Sequence, residues 1–279
     1  MLPFSDDNPV RRPPVITWVI IAACLGVYLF WQPSPLSDTD EDLPFNLANA
    51  AIPCEVVQGH PLTLQEVLDT FGAGGPGDQE ACDTDSAPPS GQDEGITHPD
   101  KNVWLALVTS MFLHGSLLHI GGNLLFLWVF GNNVEDAFGK VGYALFYLVG
   151  GVVASLTHVV LNLDSTVPLV GASGAIAAVM GAYLVLFPRA RVRTAVFFFL
   201  ITVITLQARW VLGFWFVLQF FTGANSGVAW AAHVGGFLFG VLVALAVKSL
   251  KRPEPQAAAW PPYGGGQPWD DPRRSRWGR

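Results

Sequence analysis

Charged residues are scarce in this sequence. Only 13% of the 279 residues are Asp, Glu, Lys or Arg, whereas an ordinary soluble domain has about 25%. Long stretches contain almost no charge, although a soluble protein distributes charge along the exposed face of each helix. This scarcity argues against an ordinary soluble domain and predicts an all-α, polytopic membrane protein.

The chain also lacks features that other protease and targeting classes require. It has no His-Glu-x-x-His metalloprotease motif, and no pair of aspartates lies within its apolar runs. The apolar run 14–31 after Arg11 and Arg12 is too long for a removable signal peptide and has no small-residue cleavage site. The formal net charge of -7 comes from acids collected in one segment rather than on one face, so we expect no nucleic-acid partner.

Apolar runs long enough to cross a bilayer recur along the chain. A crossing helix needs about 20 apolar residues, and this rule predicts six spans, at 15–32, 113–131, 141–161, 171–187, 209–223 and 229–247. The fifth span is the least distinct, because the preceding run 194–206 is also apolar. That run is either a re-entrant or interfacial segment or, with the fifth span, a seventh crossing.

The distribution of basic residues favours six crossings. Positive charge in short loops stays in the cytoplasm, and basic residues flank both ends of the spanning region, at Arg11, Arg12, Lys248, Lys251 and Arg252. Both termini are therefore predicted to be cytoplasmic, which requires an even number of crossings. The segment 33–103 is acidic, with Lys101 as its single Lys or Arg, and is predicted to lie outside.

This topology divides the chain into five parts. They are a cytoplasmic N-terminus (1–14), a first transmembrane helix (15–32), a long acidic extracytoplasmic loop (33–103), a membrane core of spans two to six (104–247) and a disordered cytoplasmic tail (248–279). Within the loop, 73–95 is rich in Gly, Pro, Ser and Asp and is predicted to be disordered, whereas 62–71 favours a short helix. Cys54 and Cys82 form either a disulfide, which an oxidising compartment permits, or two unpaired thiols.

Four polar residues are predicted to lie at one depth in the membrane. With six crossings, spans two, four and six run in the same direction, and their first turns carry His119 with Asn123, then Ser173, then His233. At 1.5 Å per residue, all four lie roughly 5–15 Å below the outer boundary. A lone serine or histidine in a span is more often a packing residue, but polar groups inside spans are costly, and four at one level indicate a functional site.

Stripes of small residues would allow these helices to approach closely. Gly181 repeats on the face of Ser173, while Gly236 and Gly240 repeat on the face of His233, and Gly171 and Gly174 flank the serine.

Histidine would activate the serine as a nucleophile, and His119, Asn123 and the Ser173 N–H would stabilise an oxyanion. No carboxylate lies at this depth, so the pattern predicts a Ser–His dyad. A transporter pathway is the rival interpretation, but no charged side chain lies in the core of a confident span.

The motifs resemble those of rhomboids, a family of intramembrane serine proteases. The resemblance rests on His114-x4-His119-x3-Asn123, Gly171-Ala172-Ser173-Gly174 and Ala232-His233-Val234-Gly235-Gly236. It implies that Ser173 is the nucleophile, His233 the general base, and His119 with Asn123 the oxyanion donors. It also implies a six-helix rhomboid fold, transmembrane protein substrates, no cofactor or metal, and a multi-pass location that we expect to be a bacterial plasma membrane. The alternative is a catalytically silent relative that binds membrane clients.

Overall fold

The computed structural model of the chain describes residues 2–33, 42–71, 82, 95–197, 201–222 and 228–250. The elements within these residues follow in the order β1 (Leu2–Asp6), α1 (Val15–Phe30), α2 (Asp42–Asn49), α3 (Pro53–Gln58), α4 (Leu64–Phe71), α5 (Val103–Thr109), α6 (Leu117–Phe138), α7 (Lys140–Leu161), α8 (Ser173–Leu186), β2 (Arg191–Phe197), β3 (Ile201–Gln207), α9 (Ala208–Gln219) and α10 (Trp230–Leu250), with a single 3-10 turn at Ser110–Phe112. The predicted disorder of 73–95 and of the tail lies almost wholly outside the described residues.

Helices α1 and α6 to α10 form the bundle, and they alternate in direction. Helices α8 and α10 are parallel, because Gly236 lies against the Gly174 carbonyl and Gly240 against the Ala178 carbonyl. Helix α6 runs the same way as α8, because His119 lies beside Gly171 at their starts and the rings of Phe130 and Tyr183 lie 5.0 Å apart towards their ends. Helices α6, α8 and α10 therefore all begin at one end of the bundle, called the Ser173 end below.

Helix α8 lies at the centre of the bundle, and its small side chains explain why. Every residue from Gly174 to Tyr183 is buried. A Cβ on Gly174 would lie 2.7 Å from the Ala154 Cβ of α7, and a Cβ on Gly150 would lie 2.8 Å from the Ala178 Cβ. Where lipid surrounds a protein, such close backbone approach is what holds helices together.

Three of these helices are both long and apolar enough to cross a membrane, namely Leu117–Phe138, Lys140–Leu161 and Trp230–Leu250. Helices Val15–Phe30 and Ser173–Leu186 are apolar but shorter, and α9 has 12 residues. Each of the six predicted spans nevertheless coincides with one helix of the bundle. The count of six crossings and the orientation of the termini remain predictions.

The expectation of an all-α protein is wrong for two segments, which together form a small sheet. Strands β2 and β3 form an antiparallel hairpin, and β1 adds to it in the order β1-β2-β3. The described residues of the run 194–206 are therefore strands and not part of the fifth span, and an interfacial position for the run stays a prediction. The physical reason is its wealth of β-branched residues, which favour strands, and an alternation in which Val192 and Thr194 are buried while Arg191 and Arg193 are exposed.

The described residues between α1 and α5 (42–71, 82 and 95–102), called the insert below, form a small folded unit. It contains α2, α3 and the short helix expected near 62–71, which is α4 at Leu64–Phe71. Cys54 and Cys82 are joined by a disulfide. The ammonium of Lys101 forms a buried ion pair with the Glu55 carboxylate. Burial raises the pKa of Glu55 and lowers that of Lys101, and the attraction between the two charges opposes both shifts.

The opposite end of the bundle is held by a buried carboxylate, that of Glu135, and a half-buried one, that of Asp6. The Glu135 carboxylate at the end of α6 accepts hydrogen bonds from the Ile16 and Thr17 backbone N–H groups, at 2.9 and 2.8 Å, and from the Thr17 hydroxyl at 2.8 Å. The Asp6 carboxylate of β1 accepts from the Tyr183 hydroxyl at 2.5 Å and from the Asn133 amide at 2.9 Å. These bonds fix α1 and the sheet to the helices that carry the polar residues of the Ser173 end.

Candidate active site

Ser173 is the first residue of α8, and the chain before it makes a sharp turn. Gly171 has φ +126°, a conformation that side chains disfavour, and its N–H donates to the Ser110 carbonyl at 2.9 Å. The first N–H groups of a helix have no acceptor within it. The N–H groups of Ser173 and Gly174 are therefore available to an oxygen that approaches the Ser173 hydroxyl.

Helix α6 supplies His119 and Asn123 on one face of its first two turns. Ser116 caps this helix, since its hydroxyl accepts from the His119 N–H at 3.2 Å. Asn123 is buried, and its Nδ2 atom has no hydrogen-bond partner among the described residues. A buried amide without a partner is rare in proteins. Asn123 therefore carries a free donor at the level of Ser173.

Gly171 brings both donors close to the serine. A Cβ at this position would lie 2.7 Å from His119 Nε2 and 3.7 Å from Asn123 Nδ2. Gly171 is predicted from the sequence to be a helix-packing residue, whereas it lies against the side chains of His119 and Asn123 in the structure. The lack of a side chain at 171 is what allows His119 and Asn123 to lie beside the start of α8.

Helix α10 supplies His233 from its first turn. The imidazole Nδ1 lies 2.7 Å from the Gln219 Oε1 atom of α9, and the Trp215 ring lies 5.5 Å from the imidazole, centroid to centroid. Sequence reasoning missed both neighbours. The one available signal was Gln219 itself, a polar residue inside the apolar run 210–221.

Ser173, His233, His119 and Asn123 all line one cavity of about 570 Å³ at the Ser173 end. No Asp or Glu is among its described lining residues. His158, Asn162 and Ser165 also line this cavity. Apolar side chains complete the wall, namely Leu118, Phe126, Val167, Pro168, Leu169, Val170, Ile176, Met180, Trp215, Val228, Ala229 and Trp230.

The remaining residues singled out from the sequence lie away from the cavity lining. Gly181 and Gly240 are buried in the contact between α8 and α10, and Gly174 and Gly236 lie against each other in the same contact. His114 is buried, with its ring 5.2 Å from that of His119. The Gln32 side chain donates to the His114 carbonyl at 2.8 Å and accepts from its N–H at 2.9 Å. The His114 ring is therefore held in contact with that of His119.

The insert is hydrogen-bonded to the loop that leads to Ser173. The Cys54 N–H donates to the Ser165 carbonyl at 3.0 Å, and the Leu169 N–H donates to the Ala51 carbonyl at 2.7 Å. The Thr70 and Thr166 hydroxyls lie 2.8 Å apart and are both buried. The insert therefore braces the segment between α7 and α8, which forms one wall of the cavity.

A family model described as the Rhomboid domain matches residues 101–249, more than half of the chain. The chain is 32% identical over 146 residues to Rhomboid protease GluP of Bacillus subtilis, covering 52% of this chain and 26% of that protein. It is 30% identical over 165 residues to Rhomboid protease AarA of Providencia stuartii, covering 51% and 56%. It is also 29% identical over 167 residues to the mitochondrial Rhomboid protein 1 of Saccharomyces cerevisiae, covering 55% and 46%.

In each of these alignments the chain spans less than two thirds of the relative's own length. The matched region begins just before α5 and contains the first turns of α6, α8 and α10, from which the four polar residues of the cavity come. Its long apolar helices agree with the membrane location predicted from composition. The chain belongs to the rhomboid family of membrane proteins.

Proposed function

We propose that this protein is an intramembrane serine endopeptidase that cleaves transmembrane or juxtamembrane segments of other membrane proteins. One observation carries the proposal: Ser173 and His233 line the same cavity as His119 and Asn123. The names of the relatives Rhomboid protease GluP and Rhomboid protease AarA support a protease. The apolar walls of the cavity suit a substrate segment drawn from a membrane.

In the proposed reaction, the Ser173 hydroxyl attacks the carbonyl carbon of the scissile peptide while His233 Nε2 accepts the hydroxyl proton. The tetrahedral intermediate then collapses, the C–N bond breaks and the imidazolium returns the proton to the leaving amine. A water molecule, activated by the same imidazole, hydrolyses the acyl-enzyme. No cofactor or metal is needed for these steps.

The oxyanion of the intermediate would be held by three kinds of donor. The Ser173 N–H is free at the start of α8, the Asn123 amide has no other partner among the described residues, and His119 Nε2 lies beside Gly171. Donors that are fixed before the reaction stabilise developing charge without reorganisation. This arrangement supports the assignment of His119 and Asn123 as oxyanion donors.

We further propose that the chain crosses the membrane six times, with both termini in the cytoplasm and the Ser173 end facing out. The alternating directions of the six bundle helices support an even number of crossings. The Cys54–Cys82 disulfide supports an oxidising compartment around the insert. A bacterial plasma membrane fits this orientation, and the partners would be transmembrane substrates and the lipid bilayer.

The catalytic assignment is tested by incubating the purified protein in detergent with a model transmembrane substrate. Ser173→Ala and His233→Ala are expected to lower cleavage by at least about 10⁴-fold, with expression and membrane insertion unchanged. Ser249→Ala, at the far end of α10, serves as the matched serine control and is expected to cleave normally. Cleavage retained by Ser173→Ala would remove this residue as the nucleophile.

A fluorophosphonate probe separates the protease from the silent, client-binding alternative. A reactive Ser173 is expected to label even when no substrate has been found, and Ser173→Ala is expected not to label. Absence of labelling in a folded parent protein would favour the client-binding function.

The orientation is tested with topology reporters. A reporter fused after Arg252 is expected in the cytoplasm, and one inserted near Gly91 is expected outside. A cytoplasmic signal from the second reporter would contradict the placement of the Ser173 end at the outer face.

A further inference from the structure

Gln219 is a buried polar residue that the proposed dyad chemistry leaves without a role. It is the last residue of α9 and is 7% exposed. Its Oε1 atom lies 2.7 Å from Nδ1 of His233, and its Nε2 atom lies 2.9 Å from the Trp215 carbonyl. Both polar atoms of the side chain are therefore engaged.

The second of these contacts fixes the orientation of the amide. The Trp215 carbonyl oxygen is an acceptor only, so the Gln219 atom beside it must be the NH₂ donor. The amide oxygen then faces His233, and this oxygen can only accept a hydrogen bond. His233 Nδ1 must therefore carry the proton, and its other ring nitrogen, Nε2, carries the free lone pair in the neutral imidazole.

We propose that Gln219 is a positioning residue, which holds His233 in the tautomer that can accept the proton of Ser173. The third group that orients a catalytic histidine is then a neutral amide contributed by α9. No carboxylate among the described cavity-lining residues could perform this task. The Trp215 ring, one helical turn earlier, lies 5.5 Å from the same imidazole at an interplanar angle of 41°, so two side chains of α9 contact His233.

The hydrogen bond from His233 to Gln219 depends on how α9 packs against α10. Beyond Trp215 and Gln219, the contact consists of aromatic rings, with Phe216 stacked on Phe237 at 4.6 Å between centroids. A displacement of α9 from α10 would separate Gln219 from His233 and leave the imidazole free to change tautomer. The position of α9 therefore determines whether His233 is held in the tautomer that the dyad needs.

The hydrogen bond itself can be tested without any assay of activity. Nitrogen NMR of the intact protein, labelled at histidine, distinguishes the protonated from the unprotonated ring nitrogen of neutral His233. We expect Nδ1–H in the parent protein, a mixture of tautomers in Gln219→Met, and Nδ1–H again in Gln219→Glu, which keeps an acceptor. His233→Ala identifies the resonances.

The catalytic consequence rests on the proposed protease function and is measured with the same three proteins. Loss of one orienting hydrogen bond is expected to lower kcat roughly tenfold in Gln219→Met, with KM unchanged. Gln219→Glu is expected to recover most of that loss. Val217→Leu, an exposed position on the same helix, is the control and should match the parent, and thermal melts of all variants exclude misfolding.

The outcomes separate this inference from the function on which it builds. A parent protein with His233 protonated at Nε2, or an unchanged tautomer in Gln219→Met, would overturn the role of Gln219 whatever the activity. An unchanged kcat in Gln219→Met would overturn it as well. A parent protein that neither cleaves nor reacts with fluorophosphonate, yet shows the expected tautomers, would overturn the protease proposal and retain the Gln219–His233 hydrogen bond.

Discussion

Two buried asparagines of α6, one towards each end of the bundle, differ in whether their side-chain amides are hydrogen-bonded. At the end opposite Ser173, the Asn133 amide donates to Asp6 and to Asn132, at 2.9 and 2.8 Å. At the Ser173 end, the amide of Asn123 on the same helix has no partner among the described residues. The two asparagines have the same chemistry and similar burial, so the difference lies in what surrounds them.

This difference distinguishes a buried amide that stabilises the fold from one that is available to a ligand. A buried polar group that has all its partners stabilises the fold, whereas one without a partner costs free energy in the absence of a ligand. The asparagine without a partner is the one that would bind the oxyanion in the proposed reaction. A cost of this kind at a functional site is consistent with a site built for a charge that appears only during the reaction.

Among the variants that test the contrast between Asn123 and Asn133, Asn123→Ala has the largest expected effect. Removing one oxyanion donor is expected to lower kcat by about 10²–10³-fold. Thermal stability should be unchanged or higher, because the amide that is removed has no partner to lose. Cleavage kinetics and a thermal melt on the same preparation check both parts, and a substantially lower melting temperature with normal kcat would contradict the assignment.

Asn133→Ala is the matched variant at the other end. It removes the donors to Asp6 and Asn132, and we expect it to lower the free energy of unfolding by about 1–3 kcal/mol. The activity of each folded molecule should stay at the parent value, because Asn133 is distant from the cavity. A loss of kcat without a loss of stability would show that the two ends are not independent.

A smaller effect is expected on the pH dependence of thermal stability, through Asp6 at the end opposite Ser173. Burial raises the pKa of the Asp6 carboxyl, and the hydrogen bond from Tyr183 opposes this shift in part. A folded-state pKa above the unfolded one means that Asp6 contributes stability at low pH and that this contribution is lost as pH rises through the folded-state pKa. The melting temperature of the parent should therefore fall relative to that of Asp6→Asn as pH rises through the acid range. If the melting temperatures of the parent and of Asp6→Asn change with pH in parallel, the raised pKa of Asp6 is contradicted.

The helical part of the fold could be predicted from apolar run length, because a bilayer dictates how many residues a crossing needs. The span predicted at 141–161 is α7 at Lys140–Leu161, and that at 229–247 is α10 at Trp230–Leu250. The sheet could not be predicted in the same way. Residues 194–206 are apolar along most of their length, and periodicity alone does not distinguish a short apolar strand from a helix, while β1 pairs with residues far away in sequence.

The four cavity residues could be proposed from the sequence because their helices were expected to run in the same direction. Each polar residue then lies within the first two turns of its helix. Gln219 could not be proposed in this way, because its link to His233 depends on how α9 packs against α10. The hydrogen bonds between the insert and the loop before Ser173 also could not be predicted from the sequence. They are largely backbone hydrogen bonds, such as that from Leu169 to Ala51, which side-chain identity does not encode.

A single substitution at Gly171 is expected to abolish the proposed protease activity. A single methyl group there would lie 2.7 Å from His119 Nε2, and its backbone conformation is one that alanine adopts only under strain. Such a mutant would keep Ser173 and His233 in its sequence while the space beside the oxyanion donors is filled. Two relatives can therefore share an intact dyad and differ in activity, so the residue two positions before the serine is as informative about activity as the dyad itself.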